Sequence, residues 1–206
     1  DAEEKHALES SDLALVAKAL AKNNDPKTRD KFLSAIAARL SEPKDYAALA
    51  SYGITLGSRA TGVDIAKLAL RNNVVLLKEG WPRIDLPPNL PIEPALTLAI
   101  TRQESEFDPA AKSPADARGL MQLLPSTARH IAKEIDYPLR KNQLENPSVN
   151  LTLGSHYLAR MVDGFEGSYI LGIASYNAGP GNVRKWVTSK GKPPRDAKQA
   201  IDWIEA

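Results

Sequence analysis

At 206 residues, 43% of them hydrophobic, the chain can bury a core of its own, as one domain or two small ones. A formal net charge of +2 points to neither a nucleic-acid binder nor a trap for polyanions, and no apolar run approaches the roughly 20 residues of a membrane span. The lack of cysteine excludes disulfides and thiolate metal sites and is compatible with cytoplasm or periplasm. His6, His130 and His156 lack metal-ligand spacing, so no metal and no cofactor are expected. No signal peptide leads the chain, and Asp1-Ala2-Glu3-Glu4 reads as an interior or mature start.

The first elements are helices. Ala2 to Ala21 carries Ala7, Leu8, Leu13, Val16, Ala19 and Leu20 at helical spacing, and Asn23-Asn24-Asp25-Pro26 ends it. Lys27 to Leu40 repeats the pattern through Phe32, Leu33, Ile36 and Ala37, with Ser41-Glu42-Pro43 as its stop. A third helix holds Tyr46, Leu49, Ala50 and Ile54 and closes at Gly57; a fourth runs from Thr61 to Leu77. Short helices joined by brief turns predict either stacked helical hairpins or an ordinary bundle. Gly80 to Pro94 concentrates proline, so it should be extended, with Trp81, Ile84 and Leu86 laying it on a domain surface.

Ala95 to Phe107 reads as a helix with Pro94 in its first turn, ended by Asp108-Pro109. Glu104 then lies in the last turn of an apolar helix. A helix C-terminus and apolar surroundings both raise a carboxyl pKa, which is what a general acid needs near neutral pH. An exposed surface glutamate is the plain alternative. Glu106, two residues on, faces the opposite side, and Asp108 is placed to cap the following turn. No second carboxylate joins Glu104, whereas most glycosidases need a pair. Beyond a polar loop, helices are expected over Pro125–Ile135 (capped by Ser126 or its neighbour), Val149–Val162 and Ser168–Asn177. A short helix should follow over Val183–Val187, and then a basic loop, Lys190 to Arg195.

Two stretches carry a resemblance. Glu104-Ser105, Ser113-Pro114, Gly119-Leu120-Met121-Gln122, Pro125 and Thr127-Ala128 stand in one order, followed later by Tyr176-Asn177-Ala178-Gly179-Pro180-Gly181. Together they resemble the catalytic core of soluble lytic transglycosylases, the murein-cleaving relatives of goose-type lysozyme.

The resemblance implies a mainly all-α fold, with a lysozyme-like catalytic domain over residues 95–206. A proline-rich strap over 81–94 precedes it, and residues 1–80 would be the end of an upstream α-superhelical region built of stacked hairpins. It also implies a periplasmic enzyme, monomeric, acting on the glycan strands of peptidoglycan without a cofactor. By the same resemblance Glu104 is the catalytic acid and then base, and Ser113 approaches its carboxyl. Gln122 hydrogen-bonds sugar, and the Tyr176 hydroxyl lies beside the carboxyl with Asn177 next to it. Ser105, Gly119, Leu120, Met121, Ala178 and Gly179 complete the motifs; from the residues alone, Gly119 is placed for close backbone approach or positive φ and Met121 for core filling. Family members continue past a segment like Trp203-Ile204-Glu205 into a helix with a further glutamate, so an incomplete C-terminal end is expected here. The readings that compete are a goose-lysozyme-type hydrolase on the same fold and a non-catalytic peptidoglycan-binding module.

Overall fold

The computed structural model describes residues 10–40, 42–194 and 196–205. Among them the regular elements are all helices: α1 (Asp12–Lys22), α2 (Pro26–Ala37), α3 (Pro43–Thr55), α4 (Arg59–Arg71), α5 (Leu77–Gly80), α6 (Pro94–Ser105), α7 (Pro125–Glu134), α8 (Pro147–Asp163), α9 (Tyr169–Ala178), α10 (Pro180–Lys190) and α11 (Ala197–Glu205). The all-α expectation holds. The N-terminal part of the first expected helix, with Ala7, Leu8 and His6, lies outside the described residues, as do Ser41, Arg195 and Ala206.

Helix starts follow the sequence chemistry closely. Proline occupies the first turn of α2, α3, α7, α8 and α10, where its missing N–H would have no partner in any case. Side-chain oxygens of Ser11, Asp25, Ser58, Asn146 and Ser168 accept from backbone N–H groups three residues on. The expected serine cap of α7 is not there. Leu124 is its N-cap residue and has no side-chain oxygen to offer, while Pro125 at the first position leaves one donor fewer to satisfy.

The chain divides into two compact units, Asp1–Asp85 with Thr101–Ala111, and Leu86–Ile100 with Lys112–Ala206. In the first, α1 packs on α2 and α3 on α4. Their shared core includes Ala14, Leu33, Leu49 and Ala69, all fully buried, with Tyr46 and Tyr52 among them. The tyrosines keep their hydroxyls satisfied: Tyr52 donates to the Ala14 carbonyl at 3.0 Å and Tyr46 to the Leu40 carbonyl at 2.9 Å. The fourth helix is shorter than expected. Asn73 turns the chain at φ 60° after α4, and α5 is a separate single turn.

In the second unit α7 and α8 enclose Leu123, Ala128, Ile131, Val149 and Leu153, with Tyr157 and Tyr176 packed against the cluster. Here α10 is longer than the expected short helix, because Pro180 starts it immediately after Gly179, whose φ of 84° makes the break. Along the proline-rich stretch Pro82 and Ile92 are buried while Ile84 and Leu86 are half-buried. Trp81 is 48% exposed, with its ring stacked by the Arg102 guanidinium at 4.6 Å.

Candidate active site

Glu104 sits on the last turn of α6, half-buried, and burial raises its carboxyl above the usual glutamate range. The helix ends two residues earlier than the Asp108-Pro109 signal predicts, at Ser105 instead of Phe107. Glu106 and Phe107 both adopt left-handed backbone, φ 53° and 67°, and Phe107 anchors the turn at 2% exposure. Glu106, off the helix, pairs with Lys67 of α4 and hydrogen-bonds Asp64 one turn before it. Asp108 accepts from the Ala110 N–H at 2.9 Å, the expected capping of the following turn. On the other side of α6, Arg102 donates through Nε to the Gly80 carbonyl at 2.7 Å.

The Gly119-Leu120-Met121-Gln122 segment is a tight loop closed by reciprocal backbone bonds, Arg118 N–H to Leu123 O at 3.0 Å and Leu123 N–H to Arg118 O at 3.1 Å. Gly119 is at φ 75°, and a Cβ there would lie 2.2 Å from the Leu144 carbonyl oxygen and 2.4 Å from Asn150 Nδ2. Both reasons for a glycine, positive φ and close approach, apply at once. Met121 is fully buried against Gly154, where an added Cβ would come within 2.4 Å of its sulfur. Gln122, at φ 46°, donates from Nε2 to the Gly119 carbonyl at 3.0 Å.

The loop hangs on two side chains. Tyr176 of α9 donates its hydroxyl to the Met121 carbonyl at 2.7 Å, and its ring lies 5.1 Å from that of Tyr157. Asn150 of α8, fully buried, accepts from the Met121 N–H at 2.7 Å and donates to the carbonyls of Arg118 and Leu144, both at 2.8 Å. Sequence reasoning passed over Asn150; the only signal was a polar residue between Val149 and Leu151 at the start of an apolar helix. Ser113 makes a two-way turn with Ala117: its hydroxyl accepts from the Ala117 N–H, and its own N–H donates to the Ala117 carbonyl, both at 3.0 Å. Asn177 is exposed on α9, and Ala178 ends that helix before Gly179. A cavity of about 1070 Å³ over Phe165, Tyr169, Arg184 and Lys192 holds none of these motif residues. Among the described residues no group of three or more His, Cys, Asp or Glu could hold a metal ion, and no helix is long and apolar enough to cross a membrane.

Residues 89–199, more than half of the chain, match the family model described as the transglycosylase SLT domain. The chain belongs to this family. Over 98 residues it is 42% identical to the soluble lytic murein transglycosylase of Escherichia coli K12, covering 47% of this chain and 15% of that protein. It is 44% identical over 101 residues to a putative soluble lytic murein transglycosylase of Haemophilus influenzae, 48% and 17% of the two chains. Among solved structures it matches an inactive variant of the lytic transglycosylase Slt from Pseudomonas aeruginosa with a TM-score of 0.83 at 26% identity, over 100% of this chain and 34% of that one. The 70 kDa soluble lytic transglycosylase of E. coli matches with a TM-score of 0.77 at 28% identity, over 96% and 33%. The chain thus spans about one-sixth of the curated relatives (15% and 17%) and about one-third of the solved ones (34% and 33%).

Proposed function

We propose that this chain carries a peptidoglycan lytic transglycosylase activity, with Glu104 as its one catalytic acid and base, working as a monomer in the periplasm without a cofactor. In this reading residues 95–206 form the lysozyme-like catalytic domain and residues 1–80 the end of an upstream helical region joined by the strap at 81–94. The observation that carries the reading is Glu104: a carboxyl at the end of α6, pushed up by burial, inside the span that matches the family. The two nearest carboxylates in sequence are occupied elsewhere, Glu106 with Lys67 and Asp108 with the Ala110 N–H. That supports a mechanism needing one carboxyl, not two.

The Glu104 carboxyl donates its proton to the oxygen joining MurNAc to GlcNAc. The C1–O bond breaks with its electron pair leaving on that oxygen, and an oxocarbenium-like sugar remains. The Glu104 carboxylate then takes the proton of the MurNAc C6 hydroxyl, and O6 bonds to C1, giving the 1,6-anhydro sugar and regenerating the acid. Because the attacking hydroxyl belongs to the same sugar, proximity replaces an activated water. Gln122 contributes hydrogen bonds to sugar, while Ser113, Tyr176 and Asn177 support the carboxyl and the chain around it, by their match to the family motif. Tyr176 acts in part through the Met121 carbonyl it holds.

Digestion of purified sacculi followed by mass spectrometry tests this. The reading predicts 1,6-anhydroMurNAc ends, each lighter by one water than the hydrolytic product. Reducing MurNAc ends would make the protein a goose-lysozyme-type hydrolase, and glycan binding without release would make it a binding module.

A further inference from the structure

The last turn of α6, which carries Glu104, belongs to the first unit. Beyond it stand two non-glycine residues in left-handed backbone, Glu106 at φ 53° and Phe107 at 67°. That conformation is costly for these residue types and persists only where the surroundings hold it. Phe107 is held by burial, at 2% exposure. Glu106 is held by α4: Lys67, 39 positions away in sequence, pairs with its carboxylate, and Asp64, on the same face of α4, hydrogen-bonds it. The Glu106 N–H donates to the Arg102 carbonyl at 3.1 Å and the Asp108 N–H to the Ser105 carbonyl at 2.9 Å. The turn is thereby bonded to the residues on both sides of Glu104.

Two carboxyls in hydrogen-bond contact need one proton between them. Asp64 keeps it, because its carboxyl is desolvated and faces the charge of Glu106, which together raise it to about 7. Glu106, already paired with Lys67, is the acceptor. Lys67 opposes the rise, and Asp30 of α2, itself tied to Arg29 at 2.7 Å, adds to it; α3 and α5, also packed on α4, contribute no charge among the described residues. The Glu104 carboxyl, by contrast, is raised by burial alone. The cluster therefore acts on Glu104 through the backbone between them and not through its charge.

We propose that Asp64 is a positioning residue for the Glu104 carboxyl: its protonated side chain donates to the Glu106 carboxylate and so fixes the turn that aims the end of α6. The inference rests on the reading of Glu104 as catalytic acid and base. Loss of the Asp64 proton replaces the bond with a repulsion between two carboxylates, and the turn loosens.

The test compares the whole 206-residue wild type with Asp64→Asn, which keeps a donor at every pH, and Asp64→Leu, which has none. Anhydro-product release from soluble glycan strands gives kcat and KM from pH 5 to 8.5. Glu104 loses its own proton in all three proteins, so the ratio of wild-type to Asp64→Asn kcat isolates Asp64. That ratio should be flat in acid and fall with a midpoint near 7. At pH 6 Asp64→Leu should lose kcat roughly tenfold, as for a misaimed catalytic group, with KM kept, and Asp64→Asn should restore it. In NMR spectra the Glu106 and Phe107 amide signals should move with the same midpoint in the wild type and stay fixed in Asp64→Asn. A flat kcat ratio across the range, or a folded Asp64→Leu with wild-type kcat or a loss in KM only, would overturn the proposal. If Asp64→Leu fails to fold, the kcat ratio and the amide titration decide. A wild type whose amides titrate near 7 but which releases no anhydro sugar would leave Asp64 holding the turn and remove the activity reading instead; amides that do not titrate would overturn the proposal whatever the activity.

Discussion

Gly119 shows how much one position can be asked to do. Its φ of 75° disfavours any side chain, and the space a Cβ needs is taken by the Leu144 carbonyl 2.2 Å away. Gly119→Ala should therefore lose about 3 kcal/mol or more, from backbone strain plus displacement of Asn150 and the loop it holds. Urea unfolding reads this directly, and a loss below 1 kcal/mol would mean the loop yields freely. Ser175 is the opposite case. Its side chain is fully buried in α9, and its hydroxyl has no hydrogen-bond partner. Removing an orphaned hydroxyl relieves a desolvation cost, so Ser175→Ala should be neutral or stabilise by about 1 kcal/mol, visible as an unchanged or raised Tm. The glycine could be read from the sequence because positive φ and close approach are glycine's own chemistry. Asn150 could not, because nothing local tells a buried asparagine with three backbone partners from one that faces water.

Within the first unit, α4 reaches the end of α6 through Lys67 and Asp64, three residues apart and so on one helix face. Asp64 as a residue is exposed, yet its carboxyl is desolvated where it meets Glu106. Burial, then the Glu106 hydrogen bond and charge, raise it from 3.8 to about 7, with Lys67 opposing and Asp30 adding to the rise. Between those two values the folded chain holds a proton that the unfolded chain has lost, so this group's stabilisation is complete below 3.8 and is lost as pH rises through about 7. The expected outcome is a fall in unfolding free energy across that window that Asp64→Asn removes, followed by denaturant unfolding at a series of pH values. A slope unchanged in the variant would contradict it. Helix positions were legible from periodicity, first-turn prolines and Ser, Asp and Asn caps. The ends were less so. Asn73 cut the fourth helix short, a signal passed over, since asparagine tolerates left-handed backbone; Glu106 and Phe107 ended α6 ahead of Asp108-Pro109 without one, because those residue types rarely adopt it. The Lys67–Glu106 pair joins residues far apart in sequence and has no local signature either.

For the molecule as a whole, the family was legible because two separate motif runs stand in the right order, and the match over residues 89–199 contains both. What the relatives' names describe is a protein several times longer than this chain, so the activity of these 206 residues is a claim about this chain alone. That claim turns on Glu104. Glu104→Gln keeps the side chain's volume and can still donate a hydrogen bond, but it cannot give up a proton and recover it. The decisive measurement is anhydroMurNAc release from sacculi by this variant and the wild type, with glycan binding and thermal unfolding followed on both. The account predicts that release falls by at least a hundredfold, as for loss of general acid–base catalysis, while binding and Tm stay near wild type. Release of anhydro product at close to the wild-type rate by Glu104→Gln would contradict it.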